Sequence, residues 1–435
     1  MPLVDIKIFT SKIVPRLEYI TEIILGEILG LRWEIVTDKR KLGRYPVINY
    51  SSDNIPGSFR IDPDPLLFET GLLRRELITD TWNKLPVFFL SSVDSDLPFD
   101  IFAASFYMLS RYEEYFDFQA DMHGRFSASL SLAHKNGFNN IPVVDLWARE
   151  FAKVLLKRYP ALTFKRNEYK ALLTVDIDVP FAYLGRNIFR SMGGVIRDLA
   201  HKNENITERY HVVTDDKKDP YDTFDYIIAK AEETHTDIKF FFSVGDHSEY
   251  DKNPSWRNLR YRELIKGLTP KYSAGLHPSY YAAKDDTLLR KERDRLSKIT
   301  DGNIISGRFH YLRLFMPSSY RSLLNSGIAE DFSMGWHDEP GFRAGIARPF
   351  FFYDLHEEKQ TMLKIIPFQV MDVTLCQYKK YDPVKSAEVV GDLIDKTKKV
   401  GGSFISIWHN TSLLETSVWK EWRKVFETML HDQQV

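Results

Sequence analysis

Seven short apolar runs in the second half of this chain each stop on an ionisable or coordinating residue. Residues 171–175 run into Asp176 and Asp178, 239–244 into Asp246 and His247, and 273–276 into His277. Residues 304–307 stop at Arg308 and His310, 349–353 at Asp354, 365–371 at Asp372, and 404–408 at His409. Helical segments lie between the runs, which is the texture of repeated βα units. In a parallel barrel the C-terminal ends of the strands converge on one face, and such folds place their chemistry there. The pattern therefore predicts an α/β fold with its reactive centre at those strand ends.

The first 167 residues read differently. Apolar positions recur at helical spacing over 13–30, over 98–115 and again over 144–158, with strand-like pieces at 46–50 and 85–90 between them. A basic, polar stretch at 164–170 follows. We expect a smaller α/β unit of unknown role over 1–167 and the barrel over 168–435. Aromatic residues at 14% and hydrophobic residues at 43% argue against a disordered chain. With 59 Lys and Arg against 60 Asp and Glu, no global basic field exists to hold nucleic acid. Cys376 is the single cysteine, so an intrachain disulfide and a cysteine zinc site are excluded; its apolar surroundings predict a structural thiol. No basic segment followed by a long apolar run opens the chain, and no stretch approaches about 18 consecutive apolar residues. The expectation is a cytoplasmic protein without a membrane span; its oligomeric state is not legible.

Asp176 and Asp178 come first among the candidates for chemistry. Two carboxylates directly after a buried strand are costly unless a metal, a hydrogen-bond network or a reaction compensates. Their i, i+2 spacing on extended chain points both to the same side, so one can hold a cation while the other takes a proton. The plainer alternative is a strand-end turn with two solvated aspartates. His277 and His409 each end a strand-like run, where a histidine is a structural residue or a ligand. Arg308, His310, Tyr311 and Arg313 cluster around one turn; a guanidinium there orients a carboxylate and a tyrosine stacks on a sugar, or the group is a salt-bridge network.

Taken in order, these elements resemble the motifs of the polysaccharide deacetylases of carbohydrate esterase family 4, the NodB homology domain, over roughly 171–422. The resemblance implies a distorted (β/α)7-type barrel, a divalent metal and a carbohydrate substrate. Thr174-Val175-Asp176-Ile177-Asp178 resembles the Thr-Phe-Asp-Asp-Gly motif, with the second carboxylate displaced by one position. That makes Asp176 the implied catalytic base and Asp178 an implied metal ligand. His277-Pro278-Ser279-Tyr280-Tyr281 resembles the His-Ser/Thr-x-x-His metal motif, but Tyr281 occupies the place of the second histidine. His310, in Arg308-Phe309-His310-Tyr311, resembles the Arg-x-Pro-Tyr motif with histidine for proline and is the candidate replacement ligand. Ile407-Trp408-His409 resembles Leu-x-His, which implies His409 as general acid, and Arg308 as the residue orienting Asp176. Tyr311, Arg313 and Asp331 are the candidate substrate contacts. Segment 341–350 matches none of these motifs and reads as a substrate rim or a structural loop. Zinc suits His and Asp donors with open positions, with nickel, cobalt or manganese as the other candidates. The reading that follows is a metal-dependent hydrolase removing an acetyl group from an N- or O-acetylated carbohydrate. Its rivals are a non-catalytic carbohydrate-binding or scaffold protein on a degenerate barrel, suggested by Tyr281, and a hydrolase of a small amide.

Overall fold

The computed structural model describes residues 4–184, 211, 212, 214 and 217–434. Near the N-terminus, β1 (Ile6–Thr10) is buried at all five positions, as expected of a strand covered on both faces. With β2 (Trp33–Val36), β3 (Val47–Tyr50) and β4 (Phe59–Arg60) it forms a parallel sheet in the order β2-β1-β3-β4. β5 (Asp80–Trp82) and β6 (Leu85–Val87) make a small antiparallel hairpin. The 98–115 segment is α-helical over Ile101–Leu109, where every side chain is buried, and resumes as a 3-10 turn over Tyr112–Tyr115; Asp100 caps the helix by accepting from Phe102 N and Ala103 N, both at 3.0 Å.

Among the described residues, the second half builds one sheet of nine strands. In chain order these are β7 (Lys170–Ile177), β8 (Asp237–Phe242), β9 (Ser273–Leu276), β10 (Ser306–Gly307), β11 (Glu330–Asp331), β12 (Phe350–Asp354), β13 (Lys359–Ile365), β14 (Val370–Met371) and β15 (Ser403–His409). Their spatial order is β12-β13-β11-β10-β9-β8-β7-β15-β14, and every pairing is parallel except β12 with β13. The predicted α/β fold with parallel strands is observed. One strand corrects the expectation of seven convergent ends: β12 runs antiparallel, so Asp354 leaves the common face and binds Arg321 Nε at 2.6 Å. Residues 359–371 touch both sides of the ladder. β13 pairs with β11, Phe368 N donates to Met334 O at 3.0 Å, Gln369 N donates to Ile405 O at 3.0 Å, and β14 pairs with β15.

Period-two alternation explains which side chains reach the site. Leu172 packs with Phe241, Ile405, Ile407, Phe332 and Met371 in one inner apolar cluster. Asp176 and Asp178 continue the row of Leu172, and His409 continues that of Ile405 and Ile407, so the reactive groups cap this cluster. The odd residues of β7, Leu173, Val175 and Ile177, enter the main core instead.

Segment 341–348 joins the two halves of the chain and is structural. Gly345 has φ +67°, the left-handed region that favours glycine, and packs against Met108, Val143 and Val144 of the N-terminal half. Arg343 and Arg111 share the buried carboxylate of Glu114: Arg111 Nε donates at 2.7 Å and Arg343 Nη2 at 2.6 Å. Both guanidiniums also lie over the Trp336 ring. Burial would raise the Glu114 carboxyl, but the two arginines outweigh it and hold it below its ordinary value. Glu114→Gln leaves the buried Arg343 short of its anion and Arg111 with Glu113 alone, and we expect a loss of about 3–5 kcal/mol in urea unfolding. A change within about 0.5 kcal/mol, the range of an ordinary surface substitution, would show that the cluster does not hold the halves together.

Candidate metal centre

β7, β9 and the turn after β10 bring Asp178, His277 and His310 together, with one donor atom from each within 4.8 Å of the others. His277 Nε2 stands 3.0 Å from Asp178 Oδ1 and His310 Nε2 3.6 Å from Asp178 Oδ2. The far side of each ring is fixed. His277 Nδ1 donates to Arg308 O at 2.6 Å, and His310 Nδ1 donates to the buried Asp251 Oδ1 at 2.9 Å. A carbonyl oxygen can only accept, so His277 carries a proton on Nδ1 and turns Nε2 toward the carboxylate. Asp178 Oδ1 is buried and accepts no hydrogen bond. Either a proton on Nε2 or a shared cation satisfies this facing pair, and outward N–H groups held by carbonyl and carboxylate are how ligating histidines are oriented. The cluster is thus capable of holding a divalent metal.

Without a cation the same three side chains are coupled as ion pairs. Burial would lower the His310 imidazole, but Asp178 and Asp251 override it and lift it to about 9. Burial would raise Asp178, but His310 and His277 hold it well below the usual carboxylate range. Asp251 is itself pinned by Tyr280 N at 2.9 Å and Ser248 Oγ at 2.6 Å.

Two further pairs flank the cluster. Arg308, fully buried, donates from Nη1 to Asp176 Oδ1 at 2.6 Å and from Nε to Phe332 O at 2.9 Å, with its guanidinium over the Phe241 ring. Opposite, His409 Nδ1 donates to Asp372 Oδ1 at 2.8 Å, while Asp372 Oδ2 accepts from His409 N at 2.7 Å and from Ser412 Oγ. His409 Nε2 lies 3.6 Å from Asp178 Oδ2. Burial would lower His409; Asp372 reverses that and raises it to about 10.

Asp176, Asp178, His277, His310, His409 and Tyr311 all line one cavity of about 520 Å³. Arg308 sits directly behind it. Two of the expected substrate contacts lie away from this cavity. Arg313 is absent from the cavity wall; its guanidinium binds His123 O and Tyr280 O and stacks on the Tyr280 ring at 3.8 Å. Asp331 is fully buried on the far side of β11, where Oδ2 accepts from Ser333 N, and burial lifts it to about 6. Tyr281, at the place of a second histidine, is 51% exposed and outside the cluster, whose third corner is filled by His310. Asp246, after β8, pairs with Arg295 and Lys291 outside the cavity. Cys376 is half-buried, its thiol raised to about 11 by burial.

Sequence reasoning missed Asp372 as the partner of His409, although it ends one of the apolar runs. It also missed Asp251, in a loop with no periodicity, and Arg125, which reaches the cavity from the N-terminal half together with Tyr378 and Trp419 from later segments. No helix among the described residues is long and apolar enough to cross a membrane.

Residues 6–160 match the model of a family described as a family of unknown function (DUF7033). No curated protein matches the chain. Among solved structures, the chain is similar to a protein named as a polysaccharide deacetylase from Mycobacterium smegmatis, at 12% identity and a TM-score of 0.39, covering 61% of this chain and 85% of that one. It is also similar to a polysaccharide deacetylase from Bacillus cereus, at 10% identity and a TM-score of 0.30, covering 62% and 87%. A third is a mutant CE4 family pseudoenzyme with restored enzymatic activity, at 13% identity, a TM-score of 0.27, and coverage of 62% and 65%.

Proposed function

We propose that this protein is a metal-dependent hydrolase that removes an acetyl group from an N- or O-acetylated carbohydrate. The observation that carries the reading is the convergence on one cavity of three metal donors, a carboxylate held by a buried arginine and an imidazole held by a buried carboxylate. Asp178, His277 and His310 would hold the cation, with zinc favoured by the nitrogen and oxygen donors. When bound, a divalent ion polarises a carbonyl and lowers the pKa of water. Asp176 takes the proton from the attacking water, positioned by the Arg308 guanidinium on its other oxygen. His409, charged through Asp372, lies across Asp178 and donates its proton to the departing amine or alcohol. Tyr311, Tyr378 and Trp419 offer rings to a sugar face.

The paired register of residues 359–371 with β11 at one end and β15 at the other supports closure of the sheet into a seven-stranded barrel. The change from the first sheet to the second supports a boundary near 167. A cytoplasmic setting would favour a lipid-linked or nucleotide-linked sugar precursor over an extracellular polymer.

Elemental analysis of purified protein, together with acetate release from N-acetylated and O-acetylated oligosaccharides, tests the reading. About one divalent ion per chain and metal-dependent acetate release are expected. A metal-loaded protein that binds these sugars but releases no acetate would instead be the non-catalytic carbohydrate-binding protein, and activity confined to a small amide would assign the cavity to that substrate.

A further inference from the structure

The N-terminal half reaches into the metal site through one short turn. Asp121 Oδ1 accepts from His123 N at 2.9 Å and from Arg125 N at 2.8 Å, and Arg125 Nε donates to Asp121 Oδ2 at 2.8 Å, so the turn is internally rigid. Arg125 is 5% exposed, and what it shows faces the cavity. Its Nη1 donates to Tyr311 O at 2.9 Å and its Nη2 to Tyr378 OH at 2.8 Å. His123 packs its ring 4.7 Å from that of Tyr311 and meets Tyr280 OH at 3.1 Å, while its carbonyl receives Arg313 Nε at 3.0 Å.

What this turn grips is unusual backbone. Tyr311 and Leu312, directly after His310, both lie in the left-handed region, at φ 59° and 54°. Bulky residues occupy that region only where their surroundings impose it. A relaxed 311–312 pair would loosen the backbone after His310 and leave its imidazole held by the Asp251 hydrogen bond. The gripping atoms come from residues 121–125, more than 180 positions earlier in sequence.

We infer that the N-terminal half completes the metal centre, with Arg125 as a positioning residue that holds Tyr311 and Leu312 left-handed and so keeps His310 on the cation. The inference rests on the metal reading above. Zinc affinity of the full-length protein, measured by competition with a chromophoric chelator, tests it without reference to turnover. Arg125→Ala is expected to weaken zinc by about 10- to 100-fold, the usual range for losing an outer support of a ligand, while circular dichroism and the unfolding midpoint report a folded chain. Arg125→Lys keeps the charge but not the fork that spans Tyr311 O and Tyr378 OH, and should fall between. The decisive comparison is a cycle with His310→Ala. If Arg125 acts through His310, its loss costs almost nothing once that histidine is gone; an additive loss would overturn the inference. Parent-level affinity in whichever Arg125 variant folds would also overturn it. A parent that binds no divalent cation would overturn the metal reading and this inference together.

Discussion

Asp178→Ala is expected to purify without bound divalent metal and to release no acetate above background. Of the three donors it is the only anion, and it is the hub of the cluster: the Nε2 atoms of His277, His310 and His409 lie 3.0, 3.6 and 3.6 Å from its oxygens. Without it, the two remaining donors are imidazoles whose rings stand 4.9 Å apart, with no charge to offset a divalent cation. A fall in kcat/KM of about 10³ or more, equivalent to about 4 kcal/mol of transition-state stabilisation, is the expected size. Urea unfolding should be measured alongside, because the same change takes the anion away from the imidazoles of His277, His310 and His409. Asp178→Asn separates the two contributions: it keeps shape and one oxygen, and should retain weak metal binding while losing most turnover. Stoichiometric metal in the alanine variant would remove Asp178 from the ligand set.

Alternation and strand ends made the central part of this site legible. Asp176 and Asp178 follow from period two along β7, and His277, Arg308 and His409 each stand where an apolar run stops, because a parallel sheet delivers its C-terminal ends to one side. The direction of β12 was not legible, since an apolar run looks the same read either way. Arg313 was misplaced for a local reason: two consecutive left-handed residues, Tyr311 and Leu312, turn the chain between His310 and Arg313, so adjacent positions face different surroundings. Asp331 ends the two-residue strand β11, and alternation gives the inner face to the next residue, Phe332, and the outer to Asp331. Asp251 and Arg125 carry no signal at all in one dimension. Each acts by supporting a residue far away in sequence, and only the fold makes those distances short.

Asp372→Asn should cost about 10² to 10⁴ in kcat, the usual worth of a positioned acid, and should move the alkaline limb of the pH profile to lower pH. In the parent, burial would depress His409, but the Asp372 carboxylate against Nδ1 raises it from 6.5 to about 10. An acid must be protonated to act, so the parent keeps this function from neutral pH up to about pH 10 and loses it above. Removing the carboxylate takes away the largest opposing cause and leaves Asp178 and Asp176 alone against burial, so the limb should fall from about pH 10 toward the ordinary histidine value. The same raised value links to stability: its contribution is complete below about pH 6.5 and disappears as pH rises through about 10. Asp372→Asn should therefore flatten that part of the stability profile as well. His409→Gln, by contrast, removes the acid itself and should lower activity across the whole range without an alkaline limb to shift. Because His409 is not among the three metal donors, both variants should still bind zinc at parent affinity, which separates proton donation from metal loss. An unchanged alkaline limb in Asp372→Asn would show that some other group donates the proton.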